Sequence, residues 1–174
     1  MHHQTTITTL TAILSVLSLT ACAGGDHHHS GGHDESAIGE PGKAAGVNRT
    51  VRVDMSDAMR FSPANIDAKQ GETIRFVVSN SGKVKHELVL GTEKELKEHY
   101  EVMKKHPNME HGDPNMVTVE PGKTGEVIWR FTKSGKVDFA CLQPGHFDAG
   151  MKGLVNVAAA TAAAKDDGHA GHKK

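Results

Sequence analysis

The middle of the chain alternates apolar and polar residues with a period of two, which is typical of half-buried β-strands. The alternation is clear in segments 51–55 and 86–90. Further strands are predicted at 65–68, 73–79, 116–119, 125–131, 136–140 and 152–158. Turns containing Gly or Pro separate these segments, and 69–72 is expected to close a hairpin. Many short strands with such turns predict an all-β fold, a Greek-key β-sandwich.

A helical pattern interrupts the strands after residue 91. Thr92 is a good N-cap with Glu95 three residues later, the arrangement of a capping box, and Pro107 stops the helix. Apolar side chains at helical spacing are expected to pack this helix onto the sandwich. They are Leu96, Tyr100 and Met103. The sequence therefore predicts one inserted helix, in an insertion covering about residues 92–115.

The first 22 residues have the features of an export signal. Residues 10–21 are apolar but too few to cross a bilayer, and they stand where a signal is expected. Two cleavage patterns fit: Ala21-Cys22-Ala23 suits ordinary signal peptidase, whereas residues 19–22 resemble a bacterial lipobox that would leave Cys22 lipidated. Both place the protein outside the cytoplasm, and we expect the periplasm, with a lipid anchor at Cys22 in the second case.

His-bearing segments with little apolar periodicity flank the strands. Residues 23–46 and 159–174 are rich in Gly, Ala and His, so we expect flexible termini around a domain at 47–158. Clustered imidazoles and carboxylates suit Cu(II) and Zn(II). Copper collection by these termini therefore stands beside the simpler interpretation of solvated tails.

Charge and cysteine content narrow the function. The formal net charge is −1, which offers no basic surface for nucleic acid. The chain has two cysteines, and Cys22 lies in the targeting segment. The domain therefore cannot close an internal disulfide, and Cys141 is left as a free thiol. We expect the domain to be a monomer.

Three side chains typical of copper sites lie in one short loop. Cys141, His146 and Met151 follow one another at Cys-x4-His-x4-Met spacing, and Pro144 and Gly145 shape the turn between the first two. Soft sulfur favours Cu(I), imidazole accepts either oxidation state, and a weak axial thioether tunes the potential. The spacing predicts three ligands of a type 1 copper centre, against the alternatives of a buried inert thiol or, less well supported, a zinc site.

A second imidazole is needed, and four histidines lie between the first predicted strands and the loop: His86, His99, His106 and His111. Here the chain resembles the cupredoxins, the family of plastocyanin, azurin and rusticyanin. The resemblance rests on the Cys-x4-His-x4-Met loop, and the run Cys-Leu-Gln-Pro-Gly-His makes the chain most similar to the small periplasmic copper-tolerance (CopI-like) cupredoxins. It implies a cupredoxin sandwich at 47–158, with His86 as the fourth ligand because this histidine lies on a strand. Glu87 stands where plastocyanin and azurin have Asn beside the first His.

The helical insertion carries further candidate ligands for copper. Imidazoles and thioethers are the ligands expected for Cu(I). An accessory copper site could use His99, Met103, His106, Met109, His111 and Met116. Core packing explains Met103 equally well, since a Met at helical spacing often fills a gap in a core.

The favoured function is a copper-binding electron-transfer protein that serves copper tolerance, with a redox or copper-handling protein of the envelope as its partner. Alternatives are a dedicated electron carrier between respiratory partners, and a copper storage or chaperone protein without a redox role. An enzyme is disfavoured. Multicopper oxidases and nitrite reductases need a His-Cys element, but Ala140 and Leu142 flank Cys141.

Overall fold

The computed structural model of the protein describes residues 38–107, 109 and 111–160. The predicted export signal, most of the N-terminal linker and residues 161–174 of the C-terminal tail lie outside this part. No helix within the described residues is both long and apolar enough to span a membrane.

Among the described residues, ten strands form two five-stranded sheets. The first sheet has the order β1-β8-β5-β2-β3 and the second β4-β10-β9-β6-β7. The strands are β1 (Glu40–Pro41), β2 (Arg49–Ser56), β3 (Arg60–Ser62), β4 (Asn65–Lys69), β5 (Thr73–Asn80), β6 (His86–Gly91), β7 (Met116–Val119), β8 (Thr124–Arg130), β9 (Gly135–Ala140) and β10 (Lys152–Ala158). The two-sheet all-β fold predicted from the sequence is confirmed.

The main core lies between the two sheets. It joins Val53, Ile74 and Trp129 of the first sheet to Leu88 and Val155 of the second, and all five side chains are fully buried. The Trp129 indole N–H donates to the Ile38 carbonyl at 3.0 Å, so the polar end of this ring is satisfied inside the core. Cys141 and Met151 belong to the same cluster, so this core reaches two of the predicted ligands.

The predicted hairpin over 65–79 is wrong. β4 pairs in parallel with β10, and β5 pairs with β2 and β8, so the two segments belong to different sheets. The turn at 69–72 does form, with the Glu72 amide donating to the Lys69 carbonyl at 3.0 Å. The turn carries the chain from one sheet to the other, because β4 and β5 each pair with strands that are distant in sequence.

The ordered domain begins earlier than the sequence predicts. β1 lies in the segment assigned to a linker and pairs antiparallel with β8. Ile38 is 3% exposed and belongs to the core, and Ala44–Gly46 forms a 3-10 turn. The apolar signal of this segment is a single side chain, too little to form a periodic pattern.

The inserted helix, α1 (Glu93–Lys105), has the predicted capping box. The Thr92 hydroxyl accepts from the Glu95 amide, and the Glu95 carboxylate accepts from the Thr92 amide at 2.8 Å. Leu96, Tyr100 and Met103 are buried as predicted. They form a second cluster with Val89, Ala140, Leu142, Phe147 and Met116, on the outer face of the second sheet. The helix therefore packs directly behind the predicted ligand loop.

Candidate metal centre

Two strands of the second sheet and the loop that follows one of them carry the predicted ligands. His86 is the first residue of β6, and Cys141 directly follows β9. His146 and Met151 lie in the connection from β9 to β10, which we call the ligand loop (residues 141–151). β6 and β9 pair antiparallel with Val89 opposite Ala140, so the start of one strand lies near the end of the other. The sheet register thus brings together residues far apart in sequence.

The side chains of His86, Cys141 and His146 converge, with their ligand atoms within 4.8 Å of one another. The Cys141 Sγ lies 3.2 Å from the His146 Nδ1 and 4.0 Å from the His86 Nδ1. The two Nδ1 atoms are 3.1 Å apart. One thiol sulfur and two imidazole nitrogens facing a common point form a donor set suited to copper. The residues present therefore fit the metal that the sequence predicts.

Met151 closes the ligand loop. Its carbonyl accepts from the Cys141 amide at 3.1 Å, and its amide donates to the His146 carbonyl at 3.0 Å. Gly145 and Gly150 adopt φ of +85° and +86°, which only glycine takes without strain, so both tight turns of the loop depend on them. Met151 is fully buried beside Cys141 in the main core. Three predicted ligands are therefore tied together by backbone hydrogen bonds. We call His86, Cys141, His146 and Met151 the buried centre.

Glu87 links β6 to the ligand loop. The residue is 2% exposed. Its amide donates to the Cys141 Sγ at 3.4 Å. Its carboxylate accepts from the Leu142 amide and from the Gln143 side-chain amide, both at 3.0 Å. The residue that departs from the plastocyanin and azurin pattern therefore holds the loop with its side chain.

Asp57 contacts the far side of His86 and was not found from the sequence. Its Oδ1 lies 3.2 Å from the His86 Nε2, and the carboxylate also accepts from the Lys83 and Val84 amides. The Lys83 N–H holds the pKa of Asp57 below its usual value, and the hydrogen bond to His86 acts in the same direction. No pattern marks Asp57 as functional, because only the fold places the end of β2 beside His86.

Burial sets the protonation of the two titratable ligands of the loop, Cys141 and His146. It raises the pKa of the Cys141 thiol to about 12, although the Glu87 amide opposes this shift. Burial, and then the proximity of His86, lower the pKa of His146. Without metal, Cys141 is therefore a thiol and His146 a neutral imidazole at pH 7, so copper binding must displace the thiol proton.

Tyr100 ties the inserted helix to the ligand loop. Its hydroxyl donates to Asp148 at 2.8 Å and accepts from the Gly145 amide at 2.9 Å, so it contacts both sides of His146 in sequence. Its ring stacks on Phe147 with centroids 4.9 Å apart. From the sequence this tyrosine is a packing residue only, since its polar contacts require the tertiary fold. Leu142 and Phe147 are buried in the cluster under the helix, whereas Pro144, two residues before His146, is exposed.

The predicted accessory ligands divide into two groups. His99 and His111 bring their Nε2 atoms to 2.8 Å, and the His111 Nδ1 lies 3.0 Å from the Met116 Sδ. We call these three residues the accessory cluster. The others lie apart from it: Met103 is 2% exposed in the second core cluster, His106 is exposed at the C-cap of α1, and Met109 is 40% exposed.

A cavity of about 300 Å³ is lined by residues from both regions. His111, Met116 and Met109 form part of its wall. Glu87 and Gln143, which hold the ligand loop, form another part. Two residues of the accessory cluster therefore share a cavity with the two residues that hold the ligand loop.

The sequence is similar to that of known copper proteins. The model of the plastocyanin/azurin family of copper binding proteins matches residues 47–158. A copper-resistant cuproprotein CopI from Rubrivivax gelatinosus is 51% identical, over 84% of this chain and 92% of its own length. A protein of the same name from Pseudomonas aeruginosa is 37% identical, over 82% of this chain and 94% of its own length.

Solved structures of the same shape are more distant in sequence. Reduced auracyanin from Roseiflexus castenholzii superposes with a TM-score of 0.55 and 19% identity, over 65% of this chain and 99% of its own. Auracyanin B gives a TM-score of 0.55 and 21% identity, over 70% of this chain and 94% of its own. These similarities establish the fold.

Proposed function

Because this chain belongs to the plastocyanin/azurin family of copper binding proteins, we propose that its buried centre holds one type 1 copper ion and that the protein transfers single electrons in the service of copper tolerance. The observation that carries the proposal is the convergence of the Cys141 Sγ with the Nδ1 atoms of His86 and His146. Met151, buried in the same loop, is the candidate for the weak fourth ligand.

The chain's own residues prepare the centre for this chemistry. Bound copper supplies a one-electron Cu(II)/Cu(I) couple. His86, Cys141 and Met151 are fully buried, which excludes water from the donors, while His146 remains partly exposed. Hydrogen bonds from Met151 and Glu87 hold the donors in place, so little rearrangement is needed when the charge changes. The edge of His146, beside exposed Pro144, is the proposed route for electrons.

Copper tolerance is favoured over a dedicated respiratory carrier. The two relatives that match more than nine-tenths of their own length are both named copper-resistant cuproproteins. The accessory cluster adds donors that a simple carrier does not need. Electron transfer and copper handling account for these features without an enzymatic reaction.

The test of the buried centre is a Cu(II) titration followed by visible absorption and EPR. The wild type should develop an intense thiolate-to-copper band that saturates at one equivalent. Cys141→Ser should abolish the band, and His86→Ala should weaken or shift it. His106→Ala is the matched control, because this imidazole is exposed and outside the centre. A band that survives in Cys141→Ser would refute the proposal.

We also propose that the accessory cluster binds Cu(I). Two imidazoles and a thioether are ligands that suit the cuprous ion. The 3.0 Å separation of the His111 Nδ1 and the Met116 Sδ already brings two such donors together. Asp113, whose Oδ2 lies 3.8 Å from the His111 Nδ1, adds a negative charge nearby. His111 and Met116 line a cavity, and both histidines are partly exposed, so an ion from solvent has access.

Competition with a chromophoric Cu(I) chelator tests the accessory cluster. Wild-type protein should withdraw more than one Cu(I) from the chelator. His111→Ala should lose one equivalent and leave the Cu(II) band of the buried centre unchanged. His106→Ala again serves as the control. If His111→Ala and wild type take up the same amount of Cu(I), the accessory site is refuted while the buried centre is unaffected.

Location and partners complete the proposal. We propose a periplasmic monomer that meets a redox or copper-handling protein of the envelope, with Cys22 as a lipid anchor if the lipobox is used. Fractionation of cells that express wild type or Cys22→Ala tests the anchor. Wild type in the membrane fraction and the variant in the soluble periplasm would support it. Soluble wild-type protein would favour ordinary signal peptidase.

A further inference from the structure

Asp57 lies outside the set of predicted ligands but contacts one of them. It directly follows β2, in the first sheet, whereas His86 begins β6 in the second sheet. Its Oδ1 is 3.2 Å from the His86 Nε2. The same carboxylate accepts from the Lys83 amide at 2.8 Å and from the Val84 amide at 3.4 Å. Asp57 thus holds both the imidazole and the segment that leads into it.

The orientation of the His86 ring fixes what this contact does. The ring is fully buried, and its Nδ1 faces the Cys141 Sγ and the His146 Nδ1. A neutral imidazole carries its proton on one nitrogen only, so a ligating Nδ1 requires the proton on Nε2. The Asp57 carboxylate is the acceptor placed to receive that N–H. The contact therefore selects the tautomer that leaves the Nδ1 lone pair free for a metal.

The space for this carboxylate depends on a glycine. A Cβ at Gly82 would clash with the Asp57 Oδ1 and would lie 3.1 Å from the Asp57 backbone nitrogen. Any larger residue at this position would push the carboxylate away from His86. The β5–β6 connection therefore accommodates Asp57 in two ways. Its amides at Lys83 and Val84 bind the carboxylate, and the lack of a side chain at Gly82 leaves space for it.

We propose that Asp57 is a positioning residue for the buried centre: it holds His86 as the Nε2–H tautomer and strengthens the Nδ1 donor, which favours Cu(II) over Cu(I). The inference deepens the proposed copper site and rests on it. An imidazole that donates to a carboxylate is a stronger electron donor, and the loss of such a partner typically weakens metal binding about 10–100-fold. Because the ion of higher charge gains more from this donor, Cu(II) affinity should fall more than Cu(I) affinity.

The first experiment uses the protein without metal. Nitrogen-15 NMR of histidine-labelled protein should show His86 protonated on Nε2 in the wild type. In Asp57→Ala this tautomer should lose its dominance. Asp54→Ala is the matched control, since this nearby carboxylate bonds the hydroxyls of Ser79 and Ser81 and does not contact His86. An unchanged tautomer in folded Asp57→Ala would overturn the proposal, even if the copper site itself is correct.

The second experiment measures the reduction potential of the copper-loaded protein. For each tenfold loss of Cu(II) affinity relative to Cu(I), the potential should rise by about 59 mV. Asp57→Ala should raise it by one such step or more, Asp57→Asn by less because an acceptor oxygen remains, and Asp54→Ala should leave it unchanged. Gly82→Ala should also raise the reduction potential, although the Asp57 carboxylate is still present, because the new methyl group displaces it from His86.

The outcomes separate the two proposals. A wild-type protein without a thiolate-to-copper band would refute the copper centre, while the NMR result would still report on the Asp57 contact. A normal band with equal potentials in wild type, Asp57→Ala and Gly82→Ala would refute the role of Asp57 alone.

Discussion

The protein contains two clusters of imidazole and sulfur side chains that differ in how they are supported. In the buried centre, His86, Cys141 and Met151 are fully buried, and backbone amides bond to the loop at several points. In the accessory cluster, His99 comes from α1, His111 from the connection after it and Met116 from β7, and the two histidines are partly exposed. The first cluster is held by two strands and a hydrogen-bonded loop, whereas the second joins a helix, a connection and an edge strand.

This difference matches the chemistry proposed for each. An electron-transfer centre gains from donors that move little between oxidation states, and the hydrogen bonds at Glu87, Asp57 and Met151 restrict such motion. A site that takes up and releases Cu(I) benefits from being accessible to solvent and from donor side chains that can rearrange. Glu87 is the shared element, because it supports the ligand loop and also lines the cavity beside His111.

The largest expected effect comes from removing the buried carboxylate. Glu87→Ala leaves the Leu142 amide and the Gln143 side chain without their acceptor, and hydrogen bonds to a charged group contribute about 1.5–3 kcal/mol each. The free energy of unfolding of the metal-free protein should fall by about 3 kcal/mol or more. Urea denaturation measures it.

The matched change in the accessory region is Asp113→Ala. The Asp113 side chain is 41% exposed and its Oδ2 lies 3.8 Å from the His111 Nδ1, so the loss of this ion pair should cost less than about 1 kcal/mol. Equal losses of stability in Glu87→Ala and Asp113→Ala would contradict the proposed difference in support, because the two regions would then depend equally on their carboxylates.

The next effect concerns pH at the buried centre. Burial raises the pKa of Cys141 to about 12, so the thiol holds its proton at neutral pH and must lose it to bind copper. His146, whose pKa is lowered, is already neutral and contributes no further proton at pH 7–9. Copper affinity at this centre should therefore rise about tenfold per pH unit, or about 1.4 kcal/mol. Calorimetry in buffers of different ionisation enthalpy should show about one proton released from Cys141, and Cys141→Ser should lose this release.

The sequence predicts the local features of the fold and of the copper site, but not the long-range contacts. The spacing of Cys141, His146 and Met151 identifies the loop, since several ligand types at a fixed spacing are more specific than any alone. Strand period and capping signals likewise predict most elements, because they are local. The pairing of β4 with β10, the contact of Asp57 with His86 and the hydrogen bonds of Tyr100 depend on segments brought together by the core. Local patterns do not encode such contacts.

A smaller effect is expected at the junction between the helix and the loop. Tyr100→Phe keeps the ring stack on Phe147 and removes the hydroxyl that joins Gly145 to Asp148. Two hydrogen bonds are lost, and each usually contributes about 1 kcal/mol net, so stability should fall by about 2 kcal/mol. EPR of the copper-loaded variant should show altered hyperfine splitting, since the residues on both sides of His146 are released. An unchanged spectrum would mean that the loop is positioned by Glu87 and Met151 without the helix.

The smallest effect tests whether the two regions move independently. Thr92→Ala removes the side chain that caps α1, which should cost about 1 kcal/mol. Fraying would begin at the N-terminus of the helix and weaken the placement of His99, so Cu(I) affinity should fall by less than about tenfold. The visible band of the buried centre should not change, because β6, β9 and the ligand loop keep their own hydrogen bonds. If Cu(I) affinity and the visible band change together, the two clusters are coupled structurally through the helix and Tyr100.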